Sequence, residues 1–210
     1  MQVNGDQLRA DVIVENLGGH KLPTAFPSRR AWLHVMVKDE KGNVVFESGK
    51  LREDGSIVGN ANDEDPLKFE PHYREITRSD EVEIFEPILA DAQGRVTTGI
   101  LSAARYAKDN RLLPAGFDKA SADGDIKVVG DAAEDPGFTD RGSLVRYVVP
   151  TGTAAGKLTI LAELWYQPIG YRWAHNFAPY QAGEAQRMVK YFEGAATDSA
   201  IVLAKAEVIR

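Results

Sequence analysis

The 210-residue chain contains no cysteine. That excludes disulfides, thiol nucleophiles, zinc–thiolate sites, iron–sulfur clusters and the Cys-x-x-Cys-His motif that attaches c-type haem covalently. Histidine is scarce, with four in all. None stands in a His-x-His or His-x-x-x-His arrangement, so no local metal motif exists. Long apolar runs are missing too, and nothing approaches the roughly 18 consecutive apolar residues of a membrane-spanning helix. Positive charge is in deficit: 25 Lys and Arg stand against 31 Asp and Glu, a formal charge of −6. With no basic cluster to offset it, this balance argues against a nucleic-acid partner. The N-terminal Met1-Gln-Val-Asn-Gly-Asp6 has neither a basic nor an apolar region of a secretory signal. Two expectations follow: a cytoplasmic protein, or a Met1 that opens a piece cut from a longer exported chain. Catalytic templates are absent as well, including Gly-x-Ser-x-Gly, the phosphate-binding Gly-x-x-x-x-Gly-Lys-Ser/Thr loop, His-Glu-x-x-His and Gly-x-Gly-x-x-Gly. The expectation is a chain without catalytic activity of its own.

What is present is ordinary globular material, 43% hydrophobic and 27% charged, enough for one domain spanning 1–210. Apolar residues recur with period two in short runs separated by turn residues. Leu8–Val14, Ala31–Lys38, Val44–Glu47, Glu81–Phe85, Ile126–Val129, Ser143–Val149 and Lys157–Tyr166 read as strands. Ala31–Lys38 puts Leu33, Val35 and Val37 on one face and Trp32, His34 and Met36 on the other, which predicts a central strand covered on both sides. Ser102–Asn110 fits helix or strand. Glu184–Glu193 carries Ala185, Met188, Val189 and Phe192 at helical spacing with Gly194 as a stop, and Ala195–Ala206 reads as a second helix or a returning strand. The expected architecture is mainly β: an antiparallel sandwich, Ig-like or jelly-roll-like, with long loops at 52–80 and 114–142 and helical decoration about 182–206.

Several places could carry chemistry. His20 follows Gly18-Gly19 and precedes Pro23 and Pro27, so a stiff loop presents one imidazole, either outward or bonded to a nearby carbonyl. Arg29 and Arg30 point to opposite faces of extended chain, so at most one joins His20 in binding an anionic group; pairing within the domain is the alternative. Trp165, Tyr171, Trp173, His175 and Tyr180 form an aromatic stretch that either caps the sandwich or lines a ligand pocket. Asp63 and Asp65 supply hard oxygens suited to calcium, without EF-hand spacing. His34 is expected as a packed, hydrogen-bonded core imidazole. His72 lies on a loop with no assigned role, and a metal centre built from His20, His72 and His175 requires the three to converge.

Gly18-Gly-His-Lys-Leu-Pro-Thr-Ala-Phe-Pro-Ser-Arg-Arg-Ala-Trp-Leu-His-Val35, with Val44–Gly49, Lys108–Phe117 and Leu164–Trp173, resembles the haem-free C-terminal domain of bacterial multihaem c-type cytochromes. The resemblance spreads over most of the chain. It implies a β-rich accessory domain of an exported electron-transfer protein, periplasmic or extracellular. Its partner would be a multihaem cytochrome module, in cis or in trans. His20 would be a candidate ligand or contact for a haem held by that partner, with Arg29 or Arg30 beside it. The departure is the missing cysteine: no haem c can be attached to this chain. The alternatives from other classes are an extracellular small-molecule or glycan-binding module and a metal-binding domain.

Overall fold

The computed structural model describes residues 1–152 and 156–210. In chain order the strands are β1 (Gln2–Asn4), β2 (Gln7–Val14), β3 (Arg30–Lys38), β4 (Val44–Ser48), β5 (Glu75–Ile76), β6 (Ile84–Phe85), β7 (Pro87–Asp91), β8 (Val96–Thr97), β9 (Ala103–Asp109), β10 (Phe138–Thr139), β11 (Gly142–Pro150), β12 (Thr159–Gln167) and β13 (Ile201–Ile209). The helices are two short ones, α1 (Ala61–Glu64) and α2 (Tyr171–His175), and the longer α3 (Gly183–Ala195); a 3-10 turn covers Asp131–Glu134.

Three sheets result. The first runs β1-β2-β11-β10, with β5 beside β11 in the one parallel pairing among the described strands. The second runs β13-β12-β3-β4, with β6 also on β3. The third, β8-β7-β9, is smaller. The first two face each other as a β-sandwich. Leu8, Val145, Tyr147 and Val149 from one meet Leu33, Val35, Val37 and Ile160 from the other in a single buried cluster, the arrangement that removes most apolar area from water. On the outer side of the second sheet Trp32, Ile57, Val82 and Ile84 make another cluster, against which Trp165 packs. β3 is therefore central and covered on both faces, as its two apolar rows predict.

Local chemistry sets the turns. The Asp39 carboxylate accepts the Lys41 and Asn43 N–H groups at 2.9 and 2.8 Å, and Gly42 takes φ +84°, closing the β3–β4 reversal. After β4, Gly49 at φ +76° carries the chain past β3 so closely that a Cβ would stand 2.2 Å from the Leu33 carbonyl oxygen. The Gly49 carbonyl accepts the Trp32 indole N–H at 2.9 Å.

Of the two readings open for Ser102–Asn110, helix or strand, the structure takes the strand, β9. Several expectations need correction. Only Ile84–Phe85 of the Glu81–Phe85 run pairs, and the strand leading into the 91–94 reversal is β7. Ile126–Val129 is not a strand; Val129 makes an isolated bridge to Asp109. α3 runs through Gly194 to Ala195, so that glycine does not stop it. Decoration about 182–206 is helical only in its first part, because residues 201–209 return as β13. The long loops are ordered by α1, β5, the 3-10 turn and β10.

Candidate functional site

The loop between β2 and β3 is tied down along its length. Asn16 is buried; its amide donates to the His20 and Leu112 carbonyls at 2.6 and 3.1 Å, and its oxygen accepts the Gly18 N–H at 2.9 Å. Leu22 and Leu112 exchange both backbone hydrogen bonds, at 2.9 and 2.8 Å. Lys21 reaches the Asp109 carboxylate at 2.9 Å and the Ile126 carbonyl at 2.6 Å. Burial pushes the Lys21 pKa down, and the facing Asp109 only partly restores it. Between these anchors the His20 side chain is exposed, and its ring makes no hydrogen bond among the described residues. Leu17 beside it is 92% exposed.

The two arginines part company. Arg29 is half-buried and donates one N–H to the Thr24 carbonyl at 3.1 Å. Arg30 is buried, and its guanidinium holds both Asp63 oxygens at 2.8 and 2.9 Å, Gln167 at 3.0 Å and the Gly55 carbonyl at 2.8 Å. It follows the internal-pairing alternative, and its enclosure keeps the guanidinium from an external anion. The same pair takes up Asp63: both of its carboxylate oxygens accept from Arg30, and one also accepts the Ile57 N–H at 2.8 Å. Asp65 accepts the Leu67 N–H and lies 3.6 Å from Lys68. Among the described residues no group of three histidines and carboxylates is arranged to hold a metal ion.

The other histidines lie apart. His34 sits between Glu163 at 3.2 Å and Glu47 at 3.0 Å, a hydrogen-bonded imidazole as expected. His175 stacks on Tyr171 with ring centroids 3.8 Å apart and packs edge-on against Phe192. His72, read from sequence as a loop residue, is buried between two carboxylates, Glu83 at 2.7 Å and Asp135 at 3.0 Å. Glu83 also accepts from the Tyr73 N–H and the Asn110 amide. Burial alone would lower the His72 pKa, but the Glu83 charge and the hydrogen bonds to Glu83 and Asp135 outweigh it and hold the value above the ordinary one. His20, His72 and His175 thus share no partner, and the three-histidine metal centre is not formed.

A concavity of about 810 Å³ opens between the loop before β3, the β8–β9 segment and the two C-terminal helices. Phe26, Leu67, Ile100, Trp173, Phe177 and Tyr180 are its main walls, with Met188 from α3. Phe26 meets Trp173 edge-on at 5.4 Å. Among the described residues its polar atoms come from uncharged groups, among them Ser28, Thr97, Ser102 and Asn176, and no Asp, Glu, Lys, Arg or His lines it. Such a cleft suits a neutral, mostly apolar surface with a few hydrogen-bonding groups. Of the five aromatic-stretch residues, Trp173 and Tyr180 line it. Trp165 instead stacks on Trp32 at 5.9 Å, and Tyr171 and His175 turn toward α3. Phe26 belongs to the loop that carries His20, so one loop supplies an exposed imidazole and a cleft wall. Phe177, inside the same aromatic stretch, lines the cleft too. Sequence reasoning missed Phe26, Leu67, Ile100 and Met188, whose convergence is purely tertiary.

If the cleft takes neutral apolar molecules, the uncharged dye Nile red will fluoresce on binding, and Trp173→Ala will weaken its affinity about tenfold, since a buried aromatic wall is worth about 1–2 kcal/mol. Equal titrations of the two proteins would mean that the cleft is not the binding place.

No protein-family profile matches the chain, and no curated protein resembles it detectably in sequence. Among solved structures, a penta-heme cytochrome c552 from Thermochromatium tepidum is similar in fold, with a TM-score of 0.57 at 17% identity. The match covers 100% of this chain and 37% of that one. The chain therefore spans little more than a third of the cytochrome it matches, and at this identity the likeness is one of fold. With no cysteine, this chain attaches no haem c itself.

Proposed function

We propose that the chain is a non-catalytic accessory domain of an exported multihaem cytochrome system, periplasmic or extracellular, which docks on haem-bearing modules in cis or in trans. The observation that carries this reading is the full-length fold match to part of a penta-heme cytochrome by a chain with no haem-attachment residue. It agrees with the resemblance of the Gly18–Val35 segment to the haem-free domain of that family. In this role the domain excludes water from a haem edge, which shifts an iron potential through the local dielectric. His20 is the group aimed outward, as ligand or contact, and Arg29 has N–H groups left for a haem propionate. Arg30 takes no part, being enclosed.

The test is a titration of the purified chain with a multihaem c-type cytochrome from the same organism, followed by calorimetry and visible spectroscopy. A complex is expected, with a change in the haem bands that is lost in His20→Ala. Binding without a His20-dependent spectral change removes the imidazole from the mechanism and keeps the docking. Absence of binding removes both.

A second reading is favoured by the uncharged aromatic cleft: a module for a neutral small molecule or glycan, with Trp173 and Tyr180 as stacking surfaces. Saturable calorimetric binding of a sugar or apolar compound, weakened about tenfold by Trp173→Ala, would establish it over cytochrome docking.

A further inference from the structure

Strand β13 has the sequence Ile-Val-Leu-Ala-Lys-Ala-Glu-Val-Ile, and all nine residues are exposed. Seven are apolar. It is the outermost strand of its sheet, and among the described residues no strand pairs with its outer side. An exposed apolar edge of this length is a template for strand addition, which proteins ordinarily blunt.

The hydrogen-bond pattern fixes which backbone groups are free. Leu158 and Arg210 exchange both N–H···O bonds, at 2.5 and 2.9 Å. The register continues from there through Ile160↔Val208, Ala162↔Ala206 and Leu164↔Ala204. In an antiparallel ladder bonded pairs alternate with non-bonded ones, so Ala204, Ala206 and Val208 turn their N–H and C=O groups toward β12. Lys205, Glu207 and Ile209 turn theirs to the free edge.

We infer that β13 pairs antiparallel with β13 of a second copy about a two-fold axis at Ala206, joining the two five-stranded sheets into one. Two conditions select this register. An antiparallel partner must set edge-facing residues against edge-facing residues, which leaves only axes passing through a residue. Of these, an axis at Lys205 sets Lys205 against Lys205 and one at Glu207 sets Glu207 against Glu207. The axis at Ala206 sets Lys205 against Glu207 twice and Ala204 against Val208 twice, all within the regular part of the ladder, before the bulge at Leu203. Among the described residues neither Lys205 nor Glu207 makes an ion pair, and Glu163, opposite Lys205 on β12, is engaged by His34, so both are available across the axis. The apolar row Ala204, Ala206 and Val208 lies on the core side of the sheet beside Leu164, Ala162 and Ile160, and a second copy would extend that row without a break. Charge, backbone parity and apolar continuity thus agree on one partner. This proposal does not rest on the docking to cytochromes.

The absence of native cysteine makes the test direct. Residues on a two-fold axis at a non-bonded antiparallel position have Cα atoms about 4.5 Å apart, within disulfide range. Sedimentation of the intact protein, taken up to high micromolar concentration, is expected to show a monomer–dimer equilibrium, since edge pairing alone buries a modest area. On mild oxidation Ala206→Cys is expected to cross-link to a covalent dimer, while Ala204→Cys, which faces Val208 across the axis, stays largely uncross-linked. Glu207→Pro removes an edge-facing N–H without touching the β12 ladder and is expected to shift the protein to monomer at all concentrations, with unchanged circular dichroism. A monomer throughout the series would overturn the proposal. So would a dimer whose cross-linking does not favour position 206, or one that survives Glu207→Pro, since another face would then hold it.

Discussion

Asp63→Ala is expected to be among the most damaging single substitutions in this chain, lowering stability by about 3–5 kcal/mol. The reason is enclosure. The Arg30 and Asp63 side chains are 4% and 0% exposed, so removing the carboxylate strands a guanidinium where water cannot reach it. The lost bonds also hold the fold's outer wall, because Asp63 accepts the Ile57 N–H and Arg30 reaches Gly55 and Gln167. Arg172 docks on the same turn, donating to the Asn62 and Asp63 carbonyls at 2.9 and 2.7 Å, so α2 should loosen with it. At roughly 2–4 °C per kcal/mol for a chain of this size, the melting temperature should fall by about 6–20 °C. The control is the double replacement Arg30→Met with Asp63→Leu, which leaves no unpaired charge and should regain most of the loss. An Asp63→Ala protein melting within about 2 °C of the parent would show that Arg30 finds another partner.

The second large effect belongs to His72 and depends on pH. Its folded pKa lies above the ordinary 6.5 because Glu83 and Asp135 outweigh burial. A cationic group raised in this way stabilises the fold fully below its unfolded value, near pH 6.5. That contribution disappears as pH climbs through the higher folded value. His72→Gln removes the cation between two enclosed carboxylates. The loss should be about 3 kcal/mol near pH 5.5 and smaller near pH 9, where the parent has given up the same proton. Denaturant midpoints of parent and variant at both pH values check this. The difference between the two proteins cancels the contributions of Arg74, Lys119 and Tyr147 nearby. A gap that does not change with pH would mean that the imidazole is neutral in the fold.

How far the residues alone disclose this molecule follows from the range of each signal. β2, β3, β4, β11 and β12 announce themselves because alternation is local and each buries a face on the sandwich core. β9 and β13 do not. Ala103–Asp109 is rich in helix-forming side chains, and its pairing with β7 overrides that preference. In residues 195–206 alanine and Ile201-Val-Leu pull in opposite directions, and the ladder to β12 decides. Glu83 lies between Val82 and Ile84 in a buried run, a faint sign of an enclosed carboxylate, yet its bridge through His72 to Asp135 closes over 63 positions. No window along the chain contains such a contact. The cleft is equally non-local, since its walls come from residues 26–28, 66–67, 96–102 and 169–188. His20 is the opposite case: two glycines and two prolines mark its loop, and the ring is exposed there.

The anchoring of that loop has a mechanical corollary. Asn16, Lys21 and Leu22 grip residues 109, 112 and 126, so the imidazole rides on the same lever as the distant excursion after β9. Force applied to either arm is felt at the other.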